Sequence, residues 1–151
     1  MALKPNLNKL ALVVLCIAAA VSCSRQGGYS HFKEASGDGS RYDFDLQLTE
    51  PDAEYDTFIA FNMASARNGT DSIPAKIAIV SPSGQMAIET VTFPLHGVDF
   101  SGKSVEYHYR SGIKVAQDTG LWHLSITLQD PEQYSVILGA GFRYEQTGSK
   151  N

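Results

Sequence analysis

The chain has 151 residues, of which 43% are hydrophobic and 19% are charged, a length and mixture typical of one globular domain. Residues 1–22 contain two lysines and no acid, so the remainder carries ten basic and sixteen acidic residues. A domain with this negative balance and no basic stripe lacks the Lys and Arg side chains that neutralise phosphates. Nucleic acid is therefore set aside as a partner.

The N-terminus has the three parts of a secretory signal. Lys4 and Lys9 form a positive start, residues 10–21 are an unbroken apolar run, and small residues follow. The run is about 12 residues long, which is shorter than the roughly 20 that a membrane-spanning helix needs. Residues 1–22 are therefore predicted to be a signal peptide, which ends either by ordinary cleavage near Ala20 or before a lipidated Cys23.

Cysteine usage favours lipidation. The stretch Ala20-Val21-Ser22-Cys23 resembles a bacterial lipobox, with Ala at the first position instead of the usual Leu. Cys16 lies inside the predicted signal, so Cys23 is left as the single cysteine of the mature chain and no internal disulfide can form. A lipid on Cys23 accounts for this unpaired thiol, and we expect an anchor in the outer membrane. Residues 24–27 lack an acidic run, which favours the periplasmic face.

Two segments are expected after the signal. Residues 23–40 are rich in Gly and Ser and read as a lipid-anchored tether, within which residues 29–35 either pair as an edge strand or remain loose. Residues 41–147 are predicted to form one β domain, because the apolar residues there recur with a period of two.

The alternating pattern predicts seven to eight strands. The residues expected on core faces are Tyr42, Phe44, Leu46, Leu48, Tyr55, Thr57, Ile59, Phe61, Met63, Val105, Tyr107, Tyr109, Trp122, Leu124, Ile126, Leu128, Val136, Leu138, Ala140, Phe142 and Tyr144. Residues 81–84, Ser-Pro-Ser-Gly, suit a hairpin turn. No helical periodicity follows residue 23, so the predicted fold is all-β, an immunoglobulin-like antiparallel β-sandwich.

One predicted strand contains a change of phase. Met86 and Ile88 share one parity, whereas Val91, Phe93 and Leu95 share the other. One extra residue would turn both sets towards the core, so a β-bulge is predicted near Glu89.

Three stretches of the chain resemble the gliding-motility lipoprotein H family of Bacteroidetes. They are residues 67–71 with the following Ile73-Pro74 and apolar strand, residues 89–95, and residues 120–122 together with 138–144. The chain departs from the family at residues 72–76, Ser-Ile-Pro-Ala-Lys, where members tend to show Tyr-Pro-Tyr-x-Asn. The resemblance implies a lipid-anchored β domain that belongs to an envelope complex.

Several residues are candidates for chemical sites. His108 and His123 have outward parity on strands that could be neighbours, but no third ligand stands at a metal spacing, so surface histidines are the preferred interpretation. Asp43 and Asp45 lie on one strand face at a spacing near that of glycosidase carboxylates, and a solvated face is preferred. Trp122 shares the parity of Leu124 and is interpreted as a core anchor rather than a ligand platform. No metal and no cofactor is predicted.

Ser72 is the remaining candidate for modification. Asp71-Ser72-Ile73 matches the Asp-Ser/Thr-apolar sequence of O-glycosylation in exported Bacteroidetes proteins, and we expect it to lie in a loop. The sequence contains no nucleophile elbow, zinc-protease motif or phosphate loop.

Three classes of function follow from these observations. The first is a non-enzymatic structural or assembly lipoprotein with an envelope protein partner, which an exposed apolar patch would favour. The second is a ligand-binding module, for example for glycans, which an aromatic-lined cleft would favour. The third is an enzyme, which a buried titratable pair in a pocket would favour. The first is the preferred hypothesis.

Overall fold

The computed structural model describes residues 27–33, 35, 40–64, 71–95, 104–115, 118–130 and 137–148. These residues form eight strands and no helix: β1 (Gly27–Lys33), β2 (Arg41–Leu48), β3 (Glu54–Met63), β4 (Ser72–Val80), β5 (Met86–Pro94), β6 (Ser104–Lys114), β7 (Gly120–Leu128) and β8 (Ile137–Gly148). The predicted all-β fold and the number of strands are confirmed.

The strands form two four-stranded antiparallel sheets that pack face to face. One sheet has the order β1-β8-β3-β6, which we call sheet A, and the other has the order β2-β7-β4-β5, which we call sheet B. Eight strands divided in this way have the connectivity of a jelly roll. In an immunoglobulin domain the first two strands are neighbours in one sheet, whereas here they lie in different sheets. The sandwich is therefore confirmed, and its predicted immunoglobulin-like order is corrected.

The core lies between the two sheets and follows the alternating pattern. β2 buries every second residue, and β3 buries its predicted core residues together with Ala60. Aromatic rings meet across the sheets, with Phe61 and Phe93 centroids 5.2 Å apart and Phe44 and Phe142 centroids 6.2 Å apart. Edge-to-face and tilted contacts of this kind add to the burial of apolar area.

The outer parts of the fold correct two predictions. The edge-strand alternative for the tether is confirmed, because Gly27–Lys33 pairs with β8, whereas the predicted domain start at residue 41 is wrong. The hydrogen bonds that β8 offers override a sequence with little strand pattern of its own. Leu138 is 54% exposed, because the register shifts between Asn62 and Met63 and the neighbouring Ile137 is buried instead.

The predicted bulge near Glu89 is also wrong. β4 and β5 pair through nine consecutive residue pairs, from Ser72 opposite Pro94 to Val80 opposite Met86, without a shift. The predicted turn that joins them is present, since the Gly84 N–H donates to the Ser81 carbonyl at 2.9 Å. The regular ladder places Phe93 in the core and turns Met86 and Ile88 to the outside.

Candidate functional site: the β5 edge and its cleft

β5 is one of the two edge strands of sheet B and has an apolar outer face at one end. Met86 is 63% exposed and Ile88 is 54% exposed. Their partners on β4 are Val80 and Ala78, which are half-buried on the same face. These four side chains form a contiguous apolar patch beside a strand edge that no other strand covers within the described residues. We call Met86, Ile88, Ala78 and Val80 the outer patch.

The other three edge strands have features that discourage pairing. β2 exposes the charged residues Arg41, Asp43 and Asp45. β6 contains two register shifts against β3, and the pairing of β1 with β8 shifts between Ser30 and Lys33. Charges and bulges of this kind protect natural sheet edges from adding further strands.

β5 has none of these protections along its length. Its ladder is regular, its only proline is the last residue, Pro94, and its only charged residue is Glu89. The Glu89 side chain is turned towards β6 and is two thirds covered. β5 is therefore a long, regular edge strand whose one charged side chain points towards β6.

A cleft opens between the edges of β5 and β6, on the inner side of the outer patch. Its volume is about 510 Å³. The lining residues are Ile77, Ile79, Ser81, Gln85, Met86, Ala87, Ile88, Glu89, Tyr109, Arg110, Ile113 and Trp122. A smaller cavity of about 50 Å³ lies beside it and shares Ile79, Ile113 and Trp122. Most of this lining is aliphatic or aromatic, as in many binding clefts.

Three side chains in the cleft bind one another and connect the two edge strands. The Tyr109 hydroxyl donates to Glu89 Oε1, the Arg110 Nε–H donates to the same oxygen at 3.0 Å, and Arg110 Nη2 donates to Oε2. A second link lies further along, where the Tyr107 hydroxyl donates to the Pro94 carbonyl at 2.7 Å. We call Glu89, Tyr109 and Arg110 the clasp.

The clasp fixes the protonation states of its members. Hydrogen bonds from Arg110 lower the pKa of Glu89, in spite of partial burial. Burial, followed by the hydrogen bond to Glu89, raises the pKa of Tyr109. Glu89 is therefore ionised and Tyr109 protonated around neutral pH, and their charges and donors are used within the clasp.

A turn braced by hydrogen bonds lies next to Ser81 and Trp122, two of the residues that line the cleft. Ser83 donates to Asp118 Oδ2 at 2.6 Å, and the Trp122 indole N–H donates to the Asp118 carbonyl at 2.9 Å. Gly120 has a φ of 137° and packs on Pro82, where a Cβ atom would lie 3.1 Å from the proline ring. These contacts hold Trp122 in one position, half-buried against the core and lining the cleft. The predicted core anchor is thus only partly buried.

His108 and His123 are exposed surface residues, as preferred from the sequence, and the alternative of a histidine pair is wrong. His108 lies on β6 of sheet A and His123 on β7 of sheet B, so the two side chains are on opposite faces of the sandwich. His123 Nδ1 lies 2.6 Å from Asp45 Oδ1, and Arg41 pairs with Asp43 at 2.8 Å. No group of three or more metal-binding side chains occurs among the residues that the structure describes.

The outer face of sheet A is held by its own ion pairs. Arg143 binds Glu106 through two donors, pairs with Glu145, and lies 3.7 Å above the Phe58 ring. The His108 ring lies 5.0 Å from the Phe58 ring on the other side. This face therefore uses its charges internally, which distinguishes it from the apolar outer patch on sheet B.

The two predicted modification sites have different outcomes. Ser72 is the first residue of β4, half-buried and paired with Pro94, so the expected loop position is wrong. Cys23 and the predicted signal peptide lie outside the described residues. Within the ranges that the structure does describe, no helix is both long and apolar enough to cross a membrane.

Comparisons with known proteins find similarity to solved structures, two of which are described below. No family model matches the sequence, and no curated protein matches it significantly. The chain is similar to dimeric latent PorU from Porphyromonas gingivalis, with 7% identity and a TM-score of 0.39 over 83% of this chain and 13% of that chain. It is similar to a structure of infectious bursal disease virus, Gt strain, with 11% identity and a TM-score of 0.15 over 85% of this chain and 37% of that chain. The chain therefore spans a small part of both.

Proposed function

We propose that this protein is a non-enzymatic, lipid-anchored component of an envelope protein complex, of the gliding-motility lipoprotein H type, and that β5 accepts a strand from a protein partner. The observation that carries the proposal is the unprotected β5 edge beside the outer patch. An edge strand that is regular, turns its one charged side chain away and is apolar on one face tends to aggregate in a protein that works alone. The same edge can bind a strand that a partner protein adds to the sheet.

The anchor is compatible with a partner on this edge. Gly27 follows Cys23 by four residues, which reach about 14 Å at full extension. A lipid on Cys23 would therefore hold the β1 side of the sandwich close to the outer membrane, facing the periplasm. β1 and β5 are at opposite sides of the sandwich, because β1 lies over β2 while β6 is linked to β5. The membrane and the partner would then occupy different edges.

The chemistry of the cleft supports a non-enzymatic role. General acid–base catalysis works best with groups whose pKa values lie near the working pH. The pKa of Glu89 is lowered and that of Tyr109 is raised, so both move away from neutrality. The clasp is better suited to holding β5 and β6 together than to transferring protons.

The test is crosslinking in intact cells with two matched variants. Ile88→Lys places a charge in the outer patch, whereas Leu121→Lys makes the same change on an inner strand of the same sheet, at a residue that is 44% exposed. We expect the wild type and Leu121→Lys to capture the same protein and Ile88→Lys to lose it. Equal capture by all three proteins would contradict the proposal.

A glycan is a second candidate ligand. Tyr109 and Trp122 line the cleft, and clefts with aromatic walls and a few polar groups suit sugars. The main charged groups of the cleft, however, already bind each other in the clasp. A titration of the full chain with soluble oligosaccharides, followed by calorimetry, separates this candidate from strand addition.

A further inference from the structure

We infer that the cleft is the specificity site for the added strand and takes large, uncharged apolar side chains from alternate positions of a partner protein's segment. This inference rests on the proposed strand addition at β5. It goes further in naming which residues the partner must carry and where they bind.

The geometry of a sheet brings the partner's side chains to the cleft. A strand added beside β5 would lie about 4.8 Å from it, with every second side chain directed to the inner side. On β5 itself the inner-side residues at this end are Ala87 and Glu89, which face Ile79 and Ile77 on β4. The added strand's inner side chains would continue this row into the cleft between β5 and β6.

The lining of the cleft selects against charge. Glu89 and Arg110 neutralise each other, and the Trp122 N–H is bonded to the Asp118 carbonyl. A charged side chain brought into the cleft would lose water and would compete with the clasp for its partner. An aliphatic or aromatic side chain would instead cover Ile79, Ile113 and the indole ring and gain from the removal of apolar surface from water.

The size of the cleft argues for a foreign segment over a second copy of this chain. The inner-side residues of β5 are Ala87, Glu89, Val91 and Phe93, and the last two already pack in the core of their own chain. If two β5 strands paired with each other, only Ala87 and Glu89 could therefore enter the other copy's cleft. Alanine is too small to fill about 510 Å³, and a second carboxylate would lie near the first. Larger uncharged residues are needed, such as Leu, Ile or Phe.

Trp122 provides a direct readout, because it is the single tryptophan of the chain and lines the cleft. The full chain is titrated in detergent with three synthetic peptides that lack tryptophan. The first alternates, Thr-Leu-Thr-Phe-Thr-Leu-Thr. The second has the same composition with the apolar residues in one block, and the third is the first peptide with its three central amides N-methylated. We expect the alternating peptide to shift Trp122 emission as it binds. Its dissociation constant should be at least about tenfold lower than that of either of the other two peptides.

Two variants distinguish the contribution of the cleft to peptide binding from that of the strand edge. Ala87→Phe fills the cleft from within and should weaken binding of the alternating peptide by about tenfold, a loss of 1.4 kcal/mol. Thr92→Phe adds the same ring on the outer face of the same strand, where Thr92 is exposed, and should leave binding within about twofold of the wild type. Unchanged melting temperatures confirm that both variants fold.

The outcomes distinguish the two proposals. Equal binding of the N-methylated peptide would overturn strand addition and, with it, the proposed function. Binding that depends on the backbone amides but is unaffected by Ala87→Phe would overturn the role of the cleft alone. Self-association of the chain that is lost in Ala87→Phe, or a Trp122 shift caused by chitohexaose in place of the peptides, would also overturn it.

Discussion

The clasp offers a sharp test of how the cleft is held together. Tyr109→Phe removes only the hydroxyl that donates to Glu89, and Glu89→Gln removes the charge while keeping the shape. A hydrogen bond to a charged group contributes about 1.5–3 kcal/mol when protected from water. The Glu89 side chain is one third exposed and that of Arg110 is half exposed, so solvent screening reduces the expected value. We predict a loss of about 1 kcal/mol for Tyr109→Phe and about 1–2 kcal/mol for Glu89→Gln.

Urea unfolding of the two single variants and the double variant measures the coupling. Because both side chains share one contact, the double variant should lose about 1 kcal/mol less than the sum of the single losses. Additive losses would refute the clasp as a coupled unit.

The clasp also predicts a dependence of stability on pH. The pKa of Glu89 is lowered by folding, so its stabilising contribution is fully present above its ordinary value of 4.5. The contribution is lost as the pH falls through the lowered value of the folded state. The stability difference between the wild type and Glu89→Gln should therefore be constant near neutral pH and shrink below 4.5. A difference that grows as the pH falls would contradict this account.

Three further predictions concern the core, the turn and the anchor. Phe61→Ala should lower the free energy of unfolding by about 3–5 kcal/mol, since Phe61 is fully buried, and Trp122→Ala should lower it less because its ring is half-buried. Urea unfolding of both variants measures the two losses, and equal losses would contradict this reasoning. Gly120→Ala should lower stability by about 1–3 kcal/mol through its positive φ and the contact with Pro82, and an unchanged melting temperature would refute this. The Cys23→Ala protein should be lost from the membrane fraction or remain unprocessed, because each acyl methylene buried in the membrane contributes about 0.8 kcal/mol to anchoring. Mass spectrometry that finds an unmodified mature N-terminus in the wild type would refute lipidation.

The alternating strands could be predicted because a half-buried strand imposes a period of two on its own sequence. Tyr42 and Phe44 on β2, and Ile59 and Phe61 on β3, are buried as expected. β1 could be anticipated only as an alternative, because its pairing depends on β8, which lies more than a hundred residues later. The order of strands has no local signal at all, and this is why the jelly-roll connectivity was missed.

The wrong bulge has the most instructive cause. It followed from the assumption that Met86 and Ile88, as large apolar residues, must face the core. The regular β4–β5 ladder exposes both residues. Large apolar side chains at positions that alternate towards solvent are therefore the sequence signal of an exposed apolar patch. Local inconsistencies of this kind are expected at functional surfaces.

The clasp and the cleft could not be predicted from the sequence. Glu89 and Arg110 lie on edge strands of different sheets, and only the packing of the two sheets brings them together. The alternative of a histidine pair is wrong for the same reason, because His108 and His123 both point outward but lie on different sheets, on opposite faces of the sandwich. The alternation along a strand shows only which side of its own sheet a side chain is on. Which side chains of different strands lie close together depends on the order of the strands in the two sheets.

The central claim, that β5 is completed by a partner strand, is tested most directly by amide hydrogen exchange. The exchange of β5 amides is measured in the isolated full chain and in the complex captured from cells. The N–H groups of β5 that do not bond to β4 should exchange rapidly in the isolated chain and become protected in the complex, while exchange along β2 stays unchanged. Protection that appears elsewhere and leaves β5 as exposed as before would contradict the account.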